Sequence, residues 1–246
     1  MILILIQNLG KCLILIIISS IISALEFNPL KKNLVFTAGL DRKLKLFSIN
    51  TSENKSIKIH STHLSDMPIF SAKHINDGSE IILSGRRKHF YTYNLECSKL
   101  ERCAGIFSHK DNKEREISSL ERLFCGKSQF AFGSLEGYVL LYDSKSKTYK
   151  HDIKINGSVN SVCFDNTDTY IYTVGDQSDI YVFDLRKYRN CVQKVSDVGN
   201  FNTTCMDISN DNGYLATASN SGVVNLYNLE DFHNGKEDVQ PIRVSI

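Results

Sequence analysis

The sequence predicts an all-β fold, a WD-repeat β-propeller with about five recognisable blades, and three observations predict it. One layout recurs five times: an apolar strand, a turn, a second apolar strand, a turn, then a third strand closed by an aromatic. The third strands superimpose, as Leu44-Lys45-Leu46-Phe47, Phe90-Tyr91-Thr92-Tyr93, Val139-Leu140-Leu141-Tyr142, Ile180-Tyr181-Val182-Phe183 and Val224-Asn225-Leu226-Tyr227. The closing aromatics Phe47, Tyr93, Tyr142, Phe183 and Tyr227 fall 46, 49, 41 and 44 positions apart. A period of roughly 40 to 45 residues with this layout marks WD-type repeats, one four-stranded sheet each.

In the first repeat Ile21–Phe27 aligns with the later first strand Val159–Phe164, and Leu34–Gly39 is the second strand. The turn Leu40–Lys43 leads into Leu44–Phe47, and the alternation of Lys55–His60 predicts an outer strand. The second repeat has Pro68–Ala72, a hairpin turn at Asn76-Asp77-Gly78, then Glu80–Ser84 and Phe90–Tyr93. A solvated charged loop, Ser108–Glu116, precedes a third repeat over Ile117–Lys154. The fourth runs from Val159 to Val195, and the fifth from Asn202 to Asn228 with a further strand at Val239–Val244. The predicted blades are therefore about 21–60, 67–102, 117–154, 159–195 and 202–246. Propellers close with four to eight blades, and no latching strand follows the fifth repeat, so the expectation is a propeller that is incomplete at both ends or closes with a partner.

Residues 1–20 form an apolar leader that does not belong to the repeat domain at 21–246. Three readings of the segment through Leu25 compete. A membrane span would bury Lys11 near its middle, at a cost of roughly 2.5–3.5 kcal/mol. A signal peptide could be cleaved after Ile22-Ser23-Ala24, and sequons at Asn50, Asn54, Asn156 and Asn202 would suit secretion. Such a cut would split the first strand, so the favoured reading keeps that strand behind a leader foreign to the domain.

Composition limits the function classes. The net charge of +2 demands no polyanionic partner, although local basic groups can still contact one. The chain has no Trp, and the usual Trp-Asp ending is replaced by Tyr142-Asp143, Phe183-Asp184 and Tyr227-Asn228, which keep an aromatic between sheets and a turn former after it. Seven cysteines, an odd number without a Cys-x-x-Cys pair, read as reduced core residues, Cys125, Cys163 and Cys205 lying in predicted strands. That usage favours a cytosolic or nuclear compartment. His60 and His63 have no partner at metal-ligand spacing.

Motifs with chemistry are few. Cys125-Gly126-Lys127-Ser128 imitates the end of a phosphate-binding loop, yet Glu121 stands where the first glycine is required, so a hairpin turn is expected. Gly133-Ser134-Leu135-Glu136-Gly137 has its serine one place too early for a nucleophile elbow. No nucleophile with a base, paired carboxylates or metal set is visible, so no catalytic, cofactor or metal residue is expected. The third position of the central turn is polar or acidic in four repeats, as Asp41, Glu136, Gln177 and Ser221, whereas Arg87 breaks the rule within Gly85-Arg86-Arg87-Lys88-His89. That basic turn is either a solvated turn or a contact to RNA phosphate or an acidic neighbour, for which arginine offers a bidentate fork. Lys145, Lys147, Arg186, Lys187 and Arg189 follow blade ends and would form a patch if those loops share a face. Asp197-Val198-Gly199 reads as a tight turn.

Several phrases are sharper than generic blade grammar. They are Ala38–Phe47, the Gly85-Arg86-Arg87 turn with Phe90-Tyr91, Ile155–Val159, Asp197-Val198-Gly199 followed by Thr203-Thr204, and Ser221–Tyr227. In this order, across roughly residues 20–244, they resemble the U3 small nucleolar RNA-associated protein 18 family of WD-repeat proteins. The motif positions carried by that resemblance are Gly39, Asp41, Gly85, Asp197, Gly199, Ser221, Gly222 and Asn225. It implies a larger, seven-bladed propeller acting as a non-enzymatic scaffold of the nucleolar small-subunit processome, in U3-dependent pre-rRNA processing and 18S rRNA maturation. The implied partners are other processome proteins, the U3 small nucleolar ribonucleoprotein and pre-rRNA, with no cofactor, small-molecule substrate or membrane. Arg86, Arg87, Lys88, Arg186 and Lys187 are the candidate contacts. The chain departs from the family in lacking a long polar N-terminal region, in its apolar leader and in stopping before the last repeats. Two other readings stay open: a propeller adaptor outside ribosome assembly, supported by fold analogy alone, and a secreted propeller.

Overall fold

Among the described residues, short apolar strands separated by turn residues fold into five four-stranded antiparallel sheets, each a simple meander, and one separate two-stranded pair. The computed structural model describes residues 2–8, 12–18, 21–50, 55–105, 120, 122–234 and 239–245. These divide into two compact units, one reaching Gly105 and including Leu120, the other beginning at Arg122.

In the first unit, β1 (Ile2–Asn8) and β2 (Cys12–Ile18) pair with each other in a sheet of their own, in the segment read from sequence as leader. The first blade is β3 (Ile22–Phe27), β4 (Leu34–Gly39), β5 (Lys43–Asn50) and β6 (Lys55–His63). The second is β7 (Ser71–Ile75), β8 (Glu80–Ser84), β9 (His89–Asn94) and β10 (Lys99–Ala104). The strand expected at Pro68 starts only at Ser71. Proline has no N–H to give a ladder, the Ile69 N–H turns to the Gly39 carbonyl of the first blade at 3.3 Å, and Phe70 is the first to donate towards β8, to the Ser84 carbonyl at 2.9 Å. Asn76–Gly78 makes the expected turn, with Asn76, Asp77 and Gly78 all left-handed.

The core of this unit joins Phe36, Leu44 and Leu46 to Ile81, Leu83 and Tyr93, with Met67 and Ile69 of the connecting loop. Gly39 ends the second strand of its blade and Gly85 directly follows that of the next, and each touches the segment that enters the same sheet. A Cβ on Gly39 would stand 2.3 Å from the Ile21 carbonyl oxygen, and one on Gly85 2.3 Å from that of Pro68. Two of the family-motif glycines are thus explained by backbone contact. Gly85→Ala is expected to cost about 1–3 kcal/mol by overpacking, read as a lower urea midpoint, and an unchanged midpoint would refute the contact.

His74 on β7 is buried with its ring edge-on to Phe36 at 4.9 Å. Burial, with Lys73 adding to it, pushes its pKa down to about 4. The unfolded imidazole titrates near 6.5, so stability is complete above that value and falls as pH drops from 6.5 towards 4, where the unfolded chain binds a proton that the folded one refuses. The loss reaches up to about 3 kcal/mol. His74→Leu should flatten this acid limb in urea titrations at pH 7 and pH 4.5, and an equally steep limb would assign it elsewhere.

In the second unit the third blade is β11 (Arg122–Cys125), β12 (Gln129–Gly133), β13 (Tyr138–Asp143) and β14 (Tyr149–Lys154). The fourth is β15 (Val159–Phe164), β16 (Tyr170–Gly175), β17 (Asp179–Asp184) and β18 (Cys191–Ser196). The fifth holds β19 (Thr203–Ile208), β20 (Tyr214–Ser219) and β21 (Val224–Asn228), then helix α1 (Leu229–His233) and the short outer strand β22 (Arg243–Ser245). The strand expected at Val239–Val244 therefore starts four residues late, behind a helix the sequence reading did not anticipate. The charged loop Ser108–Glu116, the start at Ile117 and the sequon at Asn54 lie outside the described residues.

The closing aromatics Phe47, Tyr93, Tyr142, Phe183 and Tyr227 are all buried, as the repeat requires. Cys97, Cys103, Cys125, Cys163, Cys191 and Cys205 are free thiols, but they are not all core residues: Cys97, Cys191 and Cys205 are exposed, Cys103 and Cys125 are half-buried, and Cys163 packs against the core of the second unit. Cys205 lies in a strand as expected, yet its place in β19 turns it outward, where period-two alternation puts every other side chain.

Candidate interaction surface

The basic turn Arg86-Arg87-Lys88 connects β8 to β9, and all three side chains are exposed. Gly85 pins its start and the N–H of Leu120 donates to the Arg87 carbonyl at 3.0 Å. Arg86 holds its guanidinium 4.7 Å from the centre of the Phe70 ring. Arg87 Nε donates to the Asp66 carbonyl at 3.3 Å.

Asp66 is the hub beneath this turn. Its Oδ1 accepts from Tyr91 at 2.7 Å, and its Oδ2 faces His89 Nε2 at 3.2 Å. The Tyr91 hydroxyl, with His89 and Arg102, holds the Asp66 carboxyl below its ordinary range. Burial, and then the Arg102 charge, push His89 down, so the ring is neutral at pH 7. Arg102 Nη2 lies 3.2 Å from His89 Nδ1, which makes Nδ1 the acceptor and puts the ring proton on Nε2, towards Asp66. The neighbouring turn of the first blade adds Arg42, whose Nη1 donates to the Ser65 carbonyl at 2.9 Å. Sequence inspection missed Asp66, His89, Tyr91, Arg102 and Arg42 as partners of the basic turn. The register of Tyr91 opposite Arg102 was the one usable signal.

The remaining sequence candidates stand in the second unit. Lys145 and Lys147 follow β13, and Arg186, Lys187 and Arg189 follow β17, so both groups occupy the turn between third and fourth strands of adjacent blades. In the plan of a blade that is the strand end opposite to the turn carrying Arg86–Lys88. Arg186 forks onto Asp184 at 3.0 and 2.8 Å, and Lys150 reaches Asp143 at 3.0 Å. The Ser146 N–H and Lys150 bring Asp143 down to about 2.

The motif positions of the fifth blade converge on one buried carboxylate. Asp197 Oδ1 accepts from Thr217 Oγ1 at 3.0 Å, Asn225 Nδ2 at 2.7 Å and the Tyr227 hydroxyl at 2.7 Å. Its Oδ2 accepts from Asn200 Nδ2 at 2.7 Å and Thr203 Oγ1 at 2.8 Å. Asn200 Oδ1 then accepts from Ser219, which meets Ser221 at 2.6 Å. Gly199 and Gly222 are left-handed, with φ of 71° and 84°, and a Cβ on either would meet open space, so backbone conformation is what asks for glycine there. Asp41 instead works locally, pairing with Lys45 at 3.4 Å.

The two imitation motifs are turns. The Cys125–Ser128 loop joins β11 to β12, and its Lys127 N–H, Ser128 N–H and Ser128 hydroxyl all donate to the Asp168 carboxylate, which fills the anion position. Gly133–Gly137 joins β12 to β13, closed by Gly137 N–H on the Ser134 carbonyl. Among the described residues no cluster of three or more His, Cys, Asp or Glu side chains could hold a metal ion, and none of their helices is long and apolar enough to cross a membrane.

The chain is similar to known proteins. The family model of the WD domain, G-beta repeat, matches residues 145–184 and 190–228. Each match takes in an outer strand, β14 or β18, and the three inner strands of the next blade, so one sequence repeat spans two sheets. The chain is 35 % identical over 212 residues to the U3 small nucleolar RNA-associated protein 18 homolog of Arabidopsis thaliana, covering 85 % of this chain and 37 % of that protein. It is 31 % identical over 210 residues to the Homo sapiens homolog, covering 85 % and 36 %. The probable U3 small nucleolar RNA-associated protein 18 of Schizosaccharomyces pombe is 26 % identical over 201 residues, covering 80 % and 37 %. The chain thus spans little more than a third of the length of these curated relatives.

Proposed function

The chain belongs to the U3 small nucleolar RNA-associated protein 18 family, and from that premise we propose that it is a non-catalytic scaffold of the nucleolar small-subunit processome. In this reading it supports U3-dependent pre-rRNA processing and 18S rRNA maturation, among other processome proteins, the U3 particle and pre-rRNA. The observation that carries the proposal is the 35 % identity over 85 % of the chain to a relative named for U3 association. Asp66 and Tyr91 are bonded to each other and His89 Nδ1 is taken by Arg102, and Asp197 is saturated by five donors, which agrees with a binding role for both constellations.

The test is affinity purification of the tagged native protein from its own cells at moderate salt, with U3 RNA and pre-rRNA quantified against an untagged control. Enrichment of both, with 18S precursors accumulating on depletion, is the expected result. A well-folded protein that recovers neither RNA would leave an adaptor outside ribosome assembly as the better account.

A further inference from the structure

We propose that Arg42, Arg87 and Arg102 form one preorganised clamp for the phosphate backbone of single-stranded RNA. The inference deepens the processome reading and rests on it, since that reading brings the chain beside RNA.

The three guanidiniums arise far apart in sequence, from the central turn of the first blade, that of the second, and β10. One short strap, Ser65-Asp66, gathers them. Arg42 donates to the Ser65 carbonyl at 2.9 Å and Arg87 to the adjacent Asp66 carbonyl at 3.3 Å. Arg102 reaches the same place through His89, whose Nε2 faces Asp66. Consecutive carbonyls thus anchor two of the arginines, and a neutral imidazole anchors the third. Each fork has five N–H groups and uses one or two on this anchoring, so donors remain for an oxyanion. All three residues are exposed, and among the described residues none is in an ion pair with a carboxylate. Of the nearby described carboxylates, Asp66 is occupied by Tyr91 and His89, and Asp41 pairs with Lys45. Lys43 and Lys88, exposed beside the same two turns, add positive charge.

Backbone conformation gives an independent reason. Arg42 is left-handed, with φ of 62°, at the closing position of its turn. The equivalent positions of the third and fifth blades are Gly137 and Gly222, each with φ of 84°. An arginine there is strained relative to glycine, and its link to the Ser65 carbonyl gives that residue a task that glycine lacks. Phosphate suits the group better than an isolated carboxylate, because anchored planar forks match its repeated oxygens bidentately. The contacts proposed are all to phosphate, so binding is to the backbone and independent of sequence.

The experiment measures binding of the purified full chain to a fluorescent 20-nucleotide uridine RNA across a salt series. Three phosphate contacts on a single strand predict a slope of log K against log salt of about −2. Arg42→Gln with Arg87→Gln and Arg102→Gln should lower affinity about tenfold or more and bring the slope near zero. A charge-matched control, Lys31→Gln with Lys32→Gln and Lys58→Gln, should leave slope and affinity close to wild type. Circular dichroism checks that the variants fold, and if the triple variant does not, Arg87→Gln alone should still flatten the slope by about 0.7. An unchanged slope in the arginine variants, or equal loss in the lysine control, overturns the clamp. Preferential binding of polyglutamate over RNA by the wild type would overturn it in favour of an acidic protein partner. These measurements need no particle, so failure of U3 recovery from cells and failure of the clamp are separate results.

Discussion

Asp197→Asn should destabilise the fifth blade by about 3–5 kcal/mol, a large loss for a substitution that leaves shape almost unchanged. The reason is the one-way traffic of hydrogen bonds into this carboxylate. Oδ1 takes three donors and Oδ2 takes two, all from buried side chains. An amide must place its NH2 on one side. On the Oδ1 side it would meet Asn225 Nδ2, and on the Oδ2 side Asn200 Nδ2. Neither asparagine can turn freely, because Asn225 Nδ2 also donates to the Val198 carbonyl at 2.7 Å and Asn200 Oδ1 accepts from Ser219. The hydroxyls could rotate to accept from the amide, but the Tyr227 oxygen already accepts from the Val198 N–H at 3.2 Å. Thr203→Val removes only one donor and should cost about 1 kcal/mol. Hydrogen exchange followed by mass spectrometry reads both effects, as lost protection in β20 and β21. Equal, small effects for the two variants would mean that the carboxylate is not the centre of the network.

The same residues show what sequence makes legible. The third strands, their closing aromatics and the central turns were readable because each is local: four or five residues with period-two alternation and a turn former after them. Sheet order followed, since a meander needs no long-range decision. Asp197-Val198-Gly199 was readable only as a turn, because the partners that give it meaning lie at Thr217, Asn225 and Tyr227, on two further strands. The arginine clamp was half legible. Arg87 stood out as a departure from the acidic rule, whereas Arg42 and Arg102 looked like ordinary surface charges until Ser65-Asp66 brought them together. The cysteines misled for a related reason: strand membership is visible in sequence, but which face of an outer or entering strand is covered depends on the neighbouring sheet.

Phe232→Ala should cost about 3–5 kcal/mol and should release α1, the element least visible in the sequence. Five residues are far too few to hold a helix by backbone hydrogen bonding alone. Leu229-Glu230-Asp231-Phe232-His233 gives little local signal beyond Asn228, whose side chain caps the Glu230 N–H at 3.1 Å. What holds the helix is tertiary contact. Leu229 and Phe232 are buried, and the Phe232 ring stands edge-on to Tyr227 at 5.7 Å and to Tyr172 at 6.1 Å. Those two tyrosines belong to β21 and β16, so one ring ties the helix to the aromatic closing of its own blade and to the second strand of the fourth. His233 adds a polar tie, its Nε2 lying 2.9 Å from the Tyr172 hydroxyl, with its ring against Tyr170. His233→Ala removes that bond and should cost only about 1 kcal/mol, since the cavity it leaves opens to solvent. If packing is the cause, Phe232→Ala will lose exchange protection in α1, β16 and β21 together, and His233→Ala will retain most of it. The reverse order would make the hydrogen bond, rather than the aromatic wedge, the element that fixes the helix.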